Sequence, residues 1–101
     1  MPTTSKALFR GAATTTVGTT LYTVPSATTT VVTNIVVTNT ASSSGTFTLG
    51  LAGTNLATTT TVAANDSTVI DLKQVLSATN TITGGASATT INFHISGVEI
   101  S

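Results

Sequence analysis

From Gly18 to Ser101 polar and apolar residues alternate in short runs separated by turn-forming clusters. A period of two marks half-buried β-strands. No segment keeps an amphipathic helical period over several turns. Thr19 to Val24 is the first predicted strand of this region, closed by Pro25, which has no N–H for a ladder. Thr29 to Thr40 is the longest, with Val31, Thr33, Ile35 and Val37 on one face and Val32, Asn34, Val36 and Thr38 on the other. Valine on both faces predicts a central strand covered on both sides. After a turn at Ser42 to Gly45, Thr46 to Ala52 points Phe47, Leu49 and Leu51 inward.

A turn at Gly53-Thr54-Asn55 precedes a weaker strand, Thr59 to Ala63, and Asn65-Asp66-Ser67 turns the chain into a short apolar strand, Thr68 to Leu72. Leu72 to Leu76 reads as one helical turn or a bend. Thr79 to Thr83 forms a strand that ends in a turn at Gly84-Gly85. In the last strand Ile91, Phe93 and Ile95 face one way and Asn92, His94 and Ser96 the other, with a bulge expected at Gly97 before Val98 and Ile100. Many short strands with regular turn signals predict an all-β fold, a single small β-sandwich of jelly-roll-like topology. The domain is expected over 18–101. Residues 1–17 are expected as an N-terminal arm holding Pro2, Lys6, Leu8, Phe9 and Arg10.

Composition narrows the functional classes. Only 6% of the 101 residues are charged and the net charge is zero, against roughly 25% charged in ordinary soluble proteins. Nucleic-acid binding is therefore not expected, because it needs a basic footprint to displace counterions. About a quarter of the chain is threonine, far above common usage. Threonine suits pleated strands and gives a polar, uncharged surface that enters an interface without desolvating ions. With no cysteine, disulfides and thiolate metal sites are excluded. No apolar run reaches membrane-spanning length and Met1 to Arg10 has no secretory h-region, so neither membrane insertion nor secretion is expected.

The candidate chemistry is sparse. His94 is the sole histidine, and Asp66, Asp71 and Glu99 are the only acids. No nucleophile-elbow sequence accompanies them, so His94 reads as a structural or interface residue and no enzyme is expected. One histidine and three scattered acids do not close a metal site, and no cofactor is expected. Gly84-Gly85 lacks the Lys-Ser or Lys-Thr of a phosphate loop. Phe47 and Phe93 read as core, and Tyr22 as exposed or at an interface. Arg10 and Glu99 are candidates for a pair between subunits.

Leu21-Tyr22-Thr23-Val24-Pro25, the run Thr29 to Thr40, Val69 to Leu76 and Ile91 to Ile100 together resemble small structural proteins of tailed bacteriophages. The resemblance spans roughly Gly18 to Ser101 and rests on strand-and-turn patterns. It implies a virion component with a β-sandwich fold, often a homotrimer. Such a protein serves as a capsid decoration (cement) protein on the outer shell, bridging major capsid protein subunits, or as a tail, neck, collar or fibre part. In that reading Lys6, Leu8, Phe9 and Arg10 dock the arm on the partner. A surface glycan-binding module is the alternative from another class, and an ice-binding face is disfavoured by the uneven threonine runs.

Overall fold

The computed structural model describes residues 3–101. Among them are eight strands: β1 (Thr3–Ala12), β2 (Thr20–Thr23), β3 (Thr29–Asn39), β4 (Gly45–Leu51), β5 (Thr54–Val62), β6 (Ser67–Leu76), β7 (Thr81–Ala86) and β8 (Ile91–Ile100). They form two four-stranded antiparallel sheets, ordered β1-β8-β3-β6 and β2-β7-β4-β5. Within them the pairs β1–β8, β2–β7, β3–β6 and β4–β5 are nested, as if one long hairpin had been rolled up. That wiring is a jelly roll, an eight-stranded double sheet.

Both sheets turn one apolar face inward. Val32, Ile35 and Val37 of β3, Ile91, Phe93 and Ile95 of β8, Phe47 and Leu49 of β4 and Ile82 of β7 are all buried. Phe47 meets Phe93 edge to face across the two sheets, with centroids 6.2 Å apart. Each fully buried side chain of this size contributes about 1.5–3 kcal/mol. At one end of the roll the buried Asn39 amide replaces apolar packing. Its Nδ2 donates to the carbonyls of Ser43 (2.9 Å) and Val62 (3.3 Å), and its Oδ1 accepts from the Ala41 N–H (3.0 Å).

Several expectations change. The bulge expected at Gly97 lies instead on the neighbouring strands β1 and β3; β8 keeps its alternation through Gly97, so Val98 and Ile100 face outward. Thr3 to Ala12, expected within a free arm, is an edge strand hydrogen-bonded along β8; Met1 and Pro2 lie outside the described residues. The segment hides its strand character because Leu8, between Ala7 and Phe9, is a bulge residue. Leu8 is buried and Phe9 packs on the core, so two neighbours share a side and the period of two fails. Thr33 bulges β3 in the same way. Thr30 and Val32 before it, and Ile35 and Val37 after it, point inward. The two expected faces of β3 are therefore exchanged at Thr33, and the strand is buried on one face only.

Leu72 to Leu76 is strand, not a helical turn, since Leu72 and Lys73 lie where the β3–β6 register shifts. Gly84-Gly85 lies inside β7 rather than ending it. A side chain at Gly85 would meet the backbone of Thr16 and Val17, which lie against it, so the glycine serves a close approach between chain segments. Leu8, Thr33 and Leu72-Lys73 thus mark one line of register shifts across the β1-β8-β3-β6 sheet. Bulges bend a strand and raise its twist.

Candidate interaction surface

Lys6, Leu8, Phe9 and Arg10 do not gather into one docking site. Leu8 is 7% exposed and occupies the space beside Gly97 inside the sandwich. Phe9 is half-buried against the core. Lys6 lies at the sheet edge, its Nζ 3.5 Å from Glu99 Oε2. As a half-exposed pair it contributes about 0–1 kcal/mol. Arg10 is exposed on the outer face, paired across the ladder with His94. Glu99, the partner anticipated for Arg10 between subunits, contacts Lys6 and Tyr22 within the chain.

Glu99 is the centre of a polar clamp between the sheets. The Tyr22 hydroxyl reaches from β2 and donates to Glu99 Oε2 on β8. It also lies 2.9 Å from Thr30 Oγ1 on β3. With the phenol proton directed at the carboxylate, the threonine hydroxyl is the donor to the phenol oxygen. Burial, followed by the hydrogen bond to Glu99, raises the Tyr22 pKa above its ordinary value. The carboxylate has a hydroxyl donor and an ammonium nearby, which offset its loss of water. Tyr22, left open between exposure and an interface, is a packing residue whose hydroxyl joins the sheets.

The candidate interaction surface is the outer face of the β1-β8-β3-β6 sheet, which holds the longer strands. Its cross-strand rows follow from the register. One row runs Arg10, His94, Val36, Val69; another runs Ser5, Val98, Val31, Val75. Ile100 and Thr29 lie beyond the second. Between the rows sit Ala7, Ser96, Asn34 and Asp71, at the line of bulges. Beside it Thr33, Asp71, Leu72 and Lys73 line a depression of about 500 Å³. Val69 is 58% and Val75 65% exposed.

The outer face of the other sheet is of a different kind. By register Thr20, Thr23, Thr46, Thr48, Thr61, Thr81 and Thr83 occupy it, with Gly50 and Gly85 interrupting the rows. The Thr48 hydroxyl is taken up by the Thr59 N–H, 3.0 Å away. His94 has Arg10 and Val36 as its cross-strand neighbours, while Asp71 belongs to the adjoining row. Among the described residues no group of three or more His, Cys, Asp or Glu side chains could hold a metal ion. The chain matches no protein-family model and no curated protein.

The valine face was visible in the sequence only as residues. Valines at both parities of β3 suggested cover on both sides; the bulge at Thr33 and the register with β6 and β8 instead bring one set together on the outside.

Proposed function

We propose that this protein is a structural component of a virus particle, a capsid decoration protein that sits on the outer shell and bridges capsid subunits. The observation that carries the reading is a small roll with almost no charge whose outer sheet face bears exposed valines. Antiparallel sheets facing water on one side normally carry polar residues there. A face of this kind is suited to being covered, and repeated small contacts around a closed assembly add up to firm attachment. The eight-stranded roll, an architecture shared by viral capsid, lectin and cupin domains, is compatible with this role. The phage-like strand and turn patterns point the same way. A tail, neck or collar part would use the same surfaces.

The test is copy number in purified particles of the virus encoding the chain, by quantitative mass spectrometry against the major capsid protein. A simple ratio to that protein is expected. A few copies per particle would move the chain to the tail or neck, and absence from particles would sink the virion reading.

A further inference from the structure

We propose that copies of this chain meet through the outer face of the β1-β8-β3-β6 sheet, so that the occupant of the exposed valine rows is a second copy of the same chain. The virion reading supplies only the expectation of self-association; the choice of face comes from the geometry.

Three observations select it. The first is the layout of chemistry. The central strands β8 and β3 present Val98, Ile100, Val31 and Val36 among His94, Ser96 and Asn34, the exposed Val69 and Val75 lie on β6, and Arg10 on β1 and Asp71 with Lys73 on β6 lie at the two edges. A mixed apolar and polar centre with Arg, Asp and Lys kept to the rim is the ordinary anatomy of a non-obligate interface. The second is self-complementarity. Stacking the β1 edge of one copy against the β6 edge of the next brings Arg10 toward Asp71 and Val69, sets Val31 against Val98 in the middle, and lays Val75 over Ser5. A face with one sign of charge at both edges would repel its copy.

The third is area. Strands of ten residues, rising about 3.3 Å per residue and spaced about 4.8 Å, give a four-stranded face of roughly 600 Å². Two such faces bury about 1,200 Å² together, the lower bound for a stable specific interface. One face is about an eighth of the 5073 Å² accessible surface, close to the share a standard interface takes from a small protein.

The experiment compares the full chain with the Val69→Lys/Val75→Lys double variant and with Thr61→Lys on the opposite sheet, by sedimentation equilibrium across a concentration series. Circular dichroism checks the fold. Both valines are already exposed, so lysine there is compatible with the folded monomer. The wild type is expected at a multiple of 10.0 kDa. The double variant should shift to monomer, its dissociation constant raised about tenfold or more, while Thr61→Lys keeps the wild-type mass.

If the lysine variant does not fold, a mixture of Ser5→Cys and Val75→Cys chains, cysteine-free otherwise, replaces it, because the stacking lays Val75 over Ser5. Cross-linking between copies is expected there and not when Thr61→Cys replaces Val75→Cys. A monomeric wild type at every concentration, or a double variant that stays assembled, overturns the proposal. A monomeric chain that loads onto particles unless Val75 is changed would also overturn it, assigning the face to a capsid partner and leaving the virion reading intact. Assembly through this face by a chain absent from particles would leave the face standing and remove the virion reading.

Discussion

At the scale of single residues, polar groups inside the roll do as much to define it as the apolar ones. Tyr22 is the chain's only tyrosine, and its protonated hydroxyl bridges Glu99 and Thr30. Its folded pKa lies above the ordinary tyrosine value of 10.0, so the folded state holds the proton more tightly than the unfolded chain does. The clamp's contribution is fully present below pH 10 and is lost as pH rises through the folded value. Urea unfolding midpoints should fall in this alkaline range for the wild type, and the fall should shrink in Tyr22→Phe. Equal declines in both proteins would contradict the assignment. Asn39 makes a second case. Asn39→Leu removes the donor to the Ser43 and Val62 carbonyls and should cost about 1–3 kcal/mol, which thermal melting would resolve.

Among the elements, the β4–β5 hairpin carries a correctable strain. Leu51 pairs with Thr54 around a two-residue loop, with φ of 52° at Ala52 and 82° at Gly53. Two positive φ values are those of a type I′ turn, where Asn-Gly is preferred. Alanine has no side-chain hydrogen bond with which to offset the left-handed conformation. Ala52→Asn should therefore stabilise the protein by about 0.5–1 kcal/mol, raising Tm by several degrees. An unchanged or lower Tm would speak against this turn. The same element scale explains what the sequence disclosed. Strands with unbroken alternation, Thr46 to Leu51 and Ile91 to Ser96, were legible because their periodicity reports burial directly. Leu8, Thr33 and Leu72-Lys73 were not, because a bulge puts neighbouring residues on one side and reads as an arm, a misassigned face or a helical turn. The valine surface was obscured for the same reason: its faces depend on strand partners and register, which local alternation does not encode.

For the whole molecule, nested pairing ties the chain's two ends into one sheet: β1 is held by β8, and β8 in turn by β3. A detached arm over 1–17 would tolerate deletion of residues 1–10 and lose only its docking function. The roll predicts a different outcome. Deletion strips most of an edge strand from β8, removes the buried Leu8 and also Phe9, and uncovers the core against which Phe9 packs. Leu8→Ala alone should cost about 2–5 kcal/mol, a large part of the roughly 5–15 kcal/mol available to a domain. Removing the segment as a whole should leave the chain unfolded or aggregated through the exposed edge of β8. Arg10→Ala, measured at concentrations where the chain is monomeric, serves as the control, because its side chain is exposed on the outer face and should change stability by less than about 0.5 kcal/mol. Denaturant unfolding of the three variants decides the matter. A truncated chain with wild-type stability would restore the arm as a separate device, and loss of particle binding by such a folded chain would place the docking function there. Collapse of the truncation and of Leu8→Ala, with Arg10→Ala unaffected, would assign the N-terminal segment to the architecture of the roll and leave attachment to its outer faces.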